Sequence, residues 1–109
     1  MIKVDFKLPE VGQYISFPGR TMQIYGYVIK IDNESCIYVR DNLTKWDCSL
    51  LFLEFHSLLS QEEFIEIVQE NASRSKQRIP SIQQVKDALN YYLNNETADA
   101  ITVSKLFDL

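Results

Sequence analysis

The chain has 109 residues and a formal net charge of -4, with 46% hydrophobic residues and only three glycines and three prolines. That length fits a single domain, 1–109, burying somewhat under about 70% of its unfolded surface. The composition excludes a disordered chain, a flexible linker and a low-complexity segment. Residues 1–50 carry six basic and six acidic side chains, whereas residues 51–109 carry five and nine. The strong basic footprint of a duplex-DNA binder is therefore missing, while a local basic patch on the neutral half could still steer a partner.

The amino terminus, MIKVDFKLPE, has no apolar h-region, so no signal peptide is expected. The longest apolar run, Leu50–Leu53, is too short for a membrane span. A cytoplasmic location follows as the expectation. Cys36 and Cys48 match no metal or redox spacing and read as thiols that pack as small hydrophobes.

In chain order, Ile2, Val4, Phe6 and Leu8 alternate with Lys3, Asp5 and Lys7, which predicts a first strand with one wet face, ended by Pro9. Val11-Gly12 turns into a short strand, Tyr14 to Phe17, and Pro18-Gly19 is a strong turn signal. A long hairpin follows. Its first arm spans about Met22 to Ile31, its turn is Asp32-Asn33-Glu34-Ser35, and its second arm is Cys36 to Arg40. Period two places Met22, Ile24, Gly26, Val28 and Lys30 on one face, and Gln23, Tyr25, Tyr27, Ile29 and Ile31 on the other. Both faces are largely apolar, so the strand is expected to be central or strongly bent, with Gly26 at a bulge or corner. Asp41-Asn42 makes the next turn, and Thr44 to Asp47 starts a further strand.

Cys48 to Leu59 is ambiguous between strand and helix; a strand to about Phe55, then a bend, is preferred. Ser60-Gln61-Glu62-Glu63 spells a capping box, with Leu59 and Phe64 placed as a hydrophobic staple. The helix it opens runs to about Ser73 with Phe64, Ile67 and Val68 inward. After a basic link, Arg74 to Arg78, and the break at Ile79-Pro80, Ser81 with Gln84 repeats the capping signature. Ile82, Val85, Leu89, Tyr92 and Leu93 form the second stripe, ending near Asn94-Asn95. The tail, Ala100 to Leu106, reads as a returning strand or a short helix. The expected fold is α+β: a small antiparallel β-barrel of five or six strands over residues 1–58, two packed helices over 59–95, and a returning strand or tail over 96–109.

Catalytic and metal signatures are missing. One histidine, His56, and two scattered cysteines build no typical zinc site. A Cys48/His56 nucleophile pair has no supporting family signature, and isolated glycines make no phosphate loop. No catalytic residue, metal or cofactor is therefore assigned. Glu62, Glu66 and Glu70 fall at i, i+4 spacing on one helix face, which reads as a solvated face or a dock for a basic partner.

The aromatic and cationic residues are the most informative. Tyr25, Tyr27, Tyr38 and Trp46 interleave with Arg20, Lys30, Arg40 and Lys45 on the sheet, and Arg74, Lys76 and Arg78 form the basic connector. Rings that stack bases and cations that track phosphates suit single-stranded RNA. The competing reading is that the tyrosines fill the core.

Gly26-Tyr27-Val28-Ile29-Lys30-Ile31-Asp32 followed by Cys36-Ile37-Tyr38-Val39-Arg40 resembles the hairpin of SH3-like and KOW-like small barrels. The size, trailing helices and richness in Ile, Asn, Lys and Tyr resemble small proteins of Gram-positive plasmids and phages, among them PrgU-type regulators with a PUA-like barrel linked to RNA. The resemblance implies an SH3-like or PUA-like barrel and carries no functional residue across. The function expected is a non-enzymatic regulator binding single-stranded RNA; the alternative is a protein-interaction module, or an inhibitor of a host factor, using the acidic helical half.

Overall fold

The computed structural model describes Lys3 to Leu109. Its strands are β1 (Tyr14–Pro18), β2 (Gln23–Ile31), β3 (Ser35–Arg40), β4 (Lys45–Ser49) and β5 (Ser57–Leu59). A 3-10 turn, Leu50–Leu53, separates β4 from β5, and three helices follow: α1 (Gln61–Arg74), α2 (Ile82–Asn94) and α3 (Ala100–Leu106). All pairings are antiparallel, in the order β4-β3-β2-β1-β5. The architecture is α+β with an open five-stranded sheet, and the two outer strands, β4 and β5, are not hydrogen-bonded to each other. Among the described residues no helix is long and apolar enough to cross a membrane.

Both faces of the sheet are covered, which explains why both faces of β2 are apolar. On one side Tyr27 and Val39 join Phe64, Ile65 and Val68 of α1, Val85, Leu89 and Tyr92 of α2, and Val103 of α3. On the other, Ile15, Phe17, Val28, Cys36 and Tyr38 meet Leu50 and Leu53 of the 3-10 turn. We call these the helix side and the far side.

The N-terminal strand does not form. Residues 3–8 are irregular, and Ile2 lies outside the described residues. The alternation nevertheless has a physical outcome: Val4, Phe6 and Leu8 pack against the far-side core. Period two specified a face to bury, but the edge beside β1 is taken by β5, so the segment covers the sheet instead of extending it.

Two details of the hairpin also differ from the periodic reading. The bulge lies at Ile29, between Val28 and Lys30, and not at Gly26. An extra residue resets the alternation, so Lys30 shares the helix side with Ile29 while Ile31 packs on the far side. Gly26 serves a different purpose. A Cβ there would stand 2.7 Å from Cδ2 of Tyr38, so the missing side chain makes room for that ring.

The apolar run after β4 is a 3-10 turn, not a continued strand. Ser49 caps it, its Oγ accepting from Leu51 N at 3.3 Å. Leu50 and Leu53, three residues apart, are buried, whereas Leu51 and Phe52 are exposed. The two predicted capping boxes form in full: Ser60 with Glu63, and Ser81 with Gln84. In α1 it is Ile65, not Ile67, that is fully buried with Phe64 and Val68; in α2 Ile82 is exposed and Ala88 takes its place in the core. The tail becomes a third helix, because Asp99 accepts from Thr102 N at 2.8 Å as its N-cap.

Candidate nucleic-acid interface at the sheet rim

Hairpin register brings three sequence-predicted residues to one place. The β3–β4 turn sets Tyr38 opposite Trp46, and Gly26 lies opposite Arg40. Tyr38, Arg40 and Trp46 therefore share the far side by the two-residue repeat. Tyr38 is buried beneath, its ring 5.5 Å edge-on from Phe17, and burial with Cys48 nearby pushes its phenol up to about 12. Arg40 extends above it, with its guanidinium carbon 5.2 Å from the Trp46 ring centroid. Trp46 remains 48% exposed, so one ring face meets the guanidinium while the indole stays open to solvent.

The surroundings fix this stack. Trp46 Nε1 donates to Thr44 Oγ1 at 2.7 Å, and Thr44 Oγ1 in turn donates to Asn42 Oδ1. The turn closes with Leu43 N donating to Arg40 O and Arg40 N donating to Thr44 O, both at 2.8 Å, and Leu43 adopts φ 61. Leu43 holds that left-handed backbone because its side chain enters the helix-side core, where Tyr92 Oη donates to its carbonyl at 2.7 Å. Arg40 Nη2 lies 3.5 Å from Sδ of exposed Met22, and its Nε sits 3.9 Å from Asp41 Oδ1 without a hydrogen-bond partner among the described residues. Burial pushes the Asp41 carboxyl above its usual range, against the pull of Arg40. Arg20 is exposed in the β1–β2 loop, two residues before Met22.

The other predicted residues are dispersed. Tyr27 is buried in the helix-side core, its ring 4.9 Å from Tyr14, and Tyr25 is half-buried against the same core. Neither Tyr27 nor Tyr38 has an open ring face for a base. Lys30 and Lys45 converge on the α2–α3 loop: Lys30 Nζ meets Glu96 Oε1 at 2.9 Å, and Lys45 Nζ donates to Glu96 O at 3.2 Å. That pairing raises the Lys30 pKa and lowers that of Glu96. Arg74 pairs with Glu70 at 3.4 Å and Arg78 with Asp108 at 2.9 Å. Lys76 is exposed at φ 54 just past α1.

Sequence reasoning missed Met22 and the Asn42–Thr44 support of the indole. A signal existed: a three-residue turn after Arg40 fixes the register, and register alone places Trp46 across from Tyr38. His56 Nδ1 is 2.7 Å from Leu53 O, and neither His56 nor Cys48 lines the cavities of about 490 and 370 Å³. Compared with protein-family models, curated proteins and solved structures, the chain matches none.

Proposed function

We propose that the protein is a non-enzymatic, cytoplasmic regulator that binds single-stranded RNA at the rim formed by Arg20, Arg40 and Trp46. The observation that carries this reading is the Arg40–Trp46 stack. A half-exposed indole braced by a guanidinium offers a base one ring face, and the arginines offer the adjoining phosphates charge-assisted hydrogen bonds. The strand order, with β5 returning beside β1 after a 3-10 turn, also supports an SH3-like small barrel braced by helices as the scaffold. The rim is then its open end.

Trp46 is the only tryptophan, so its fluorescence reports the site directly. Titration with oligouridylate should quench it, and the affinity should fall as salt rises. By filter binding, Trp46→Ala should weaken the complex about tenfold or more, corresponding to about 1–3 kcal/mol for one stacked base. Arg40→Ala should weaken it too, whereas Arg74→Ala and Arg78→Ala, on the helical layer, should not. Unquenched fluorescence at low salt, or equal losses from the rim and connector variants, would remove the rim from the reading.

A second reading is a protein-interaction module. Leu51, Phe52, Phe55 and Leu58 are all exposed within one short stretch that crosses to the unpaired edge of β5, and such apolar exposure is a feature of protein contacts. Phe55→Ser would abolish a nuclease-insensitive, stoichiometric complex under this reading and leave oligouridylate binding unchanged under the first.

A further inference from the structure

Cys36 and Cys48 stand directly opposite each other on β3 and β4. Both belong to the far side, Cys36 fully buried and Cys48 half-buried. Directly opposed residues of an antiparallel pair hold their Cα atoms about 4.5–5.5 Å apart, inside the window of about 4.4–6.8 Å that a disulfide spans. Their Cβ atoms, about 4.5–5.5 Å apart in such pairs, need only a small approach to reach the about 3.5–4.5 Å of a disulfide. β4 is an outer strand with no ladder beyond it, so it can make that approach. We propose that Cys36 and Cys48 form a reversible thiol–disulfide pair, in which Cys48 is the entry thiol for a low-molecular-weight disulfide and Cys36 is the resolving thiol.

The two sulfurs are placed for different roles. The neighbouring Cys36 thiol lowers the Cys48 pKa, whereas the neighbouring Cys48 and burial push the Cys36 thiol up; Cys36 Sγ itself donates to Ile37 O at 3.9 Å. The thiolate is the attacking species, so Cys48, which is also the more exposed of the two, reacts first. Its sulfur attacks one sulfur of RSSR, forming Cys48–S–S–R and expelling RS⁻, which takes up a proton to become RSH. Cys36 then loses its proton to solvent and attacks the Cys48 sulfur, forming the Cys36–Cys48 bond and expelling a second RS⁻. Two protein thiols are oxidised, one small disulfide is reduced, and excess RSH reverses both steps. This pair stands independently of the RNA reading.

The test is to treat the fully reduced, full-length protein with oxidised glutathione in native buffer without oxygen and to follow intact mass after acid quenching. The chain should lose the mass of two hydrogen atoms, release both glutathione thiols and recover its mass in excess reduced glutathione. Cys36→Ser should halt with one glutathionyl group on Cys48, and Cys48→Ser should stay unmodified over the time the natural chain needs to close. Native alkylation with iodoacetamide and peptide mapping, which needs no variant, should label Cys48 before Cys36. Retention of both thiols, a stable glutathionyl adduct that never closes, a disulfide between two chains, or first labelling at Cys36 would each overturn the proposal.

Discussion

The two sides of the sheet are built differently. The helix side is closed by three helices whose buried faces supply Phe64, Ile65, Val68, Val85, Ala88, Leu89, Tyr92 and Val103. The far side is closed by one 3-10 turn and an irregular segment: Leu50 and Leu53 are buried, and Val4, Phe6 and Leu8 are partly so. An amphipathic helix delivers a broad apolar stripe and keeps its charges outside, whereas a single 3-10 turn delivers two side chains and leaves its others in water. Leu51, Phe52, Phe55, Leu58, Met22 and Trp46 accordingly remain exposed. The cations follow the same division. Lys30, Lys45, Arg74 and Arg78 all bond to groups of the helical layer, while Arg40 is stacked on an exposed ring of the sheet. The helix side thus holds the larger buried cluster, although Ile82, Ile101 and Leu106 stay exposed on its helices.

The largest expected effect tests the helix side. Phe64 is fully buried, 5.3 Å from the Tyr14 ring, and joins α1 to the sheet. Phe64→Ala should cost about 3–5 kcal/mol in urea unfolding, while the folded fraction still quenches Trp46 with oligouridylate. A parallel loss of rim binding in the folded fraction would mean that the two sides are not separable. Next in size is the far side. Gly26→Ala places a methyl against Tyr38 and should cost about 1–3 kcal/mol by overpacking. Because Gly26 faces Arg40 and Tyr38 lies beneath the rim, this change should also weaken oligouridylate binding. A neutral Gly26→Ala would show that the Tyr38 ring can shift and that the far side is looser than its packing implies.

Legibility in the sequence divides along the same lines. The hairpin and both capping boxes were readable because each depends on residues within a few positions of one another: Asp32 Oδ1 accepts from Glu34 N and Ser35 N, and Ser60 and Ser81 bond within their own helix turns. The N-terminal segment was not, because its alternation encodes a buried face and only the competition with β5 for an edge decides whether it forms a ladder. Leu50–Leu53 failed for a related reason: a short apolar run satisfies strand and helix alike, and the Ser49 cap together with the far-side core selects the 3-10 turn. The bulge at Ile29 has no glycine to announce it, and it moves Lys30 from the face that period two gives it, with Gly26 and Val28, to the helical layer. Of the predicted site, Arg40 and Trp46 stack on each other, Arg20 is exposed in the β1–β2 loop, and Tyr27 and Tyr38 became core.

The smallest expected effect concerns acid. Glu63, Glu96 and Asp99 all belong to the helical layer, and each has its pKa lowered in the folded chain: Glu63 by the Ser60 backbone N–H, Glu96 by Lys30, and Asp99 by the Thr102 backbone N–H. A carboxylate with a depressed folded pKa contributes stability that is fully present above its unfolded pKa and is lost as pH falls through the folded value. The ordinary values are 4.5 for glutamate and 3.8 for aspartate, so the loss should set in below those values and deepen further down. Urea midpoints taken from neutral pH to below 3.8 should therefore fall. Glu63→Gln keeps an acceptor for the Ser60 N–H, as Gln84 does for Ser81, but cannot titrate. It should make the acid-side slope shallower without lowering stability at neutral pH as much as Phe64→Ala. An unchanged slope in Glu63→Gln would show that the α1 cap does not contribute to acid sensitivity, leaving Glu96, Asp99 and the Asp32 turn to account for it.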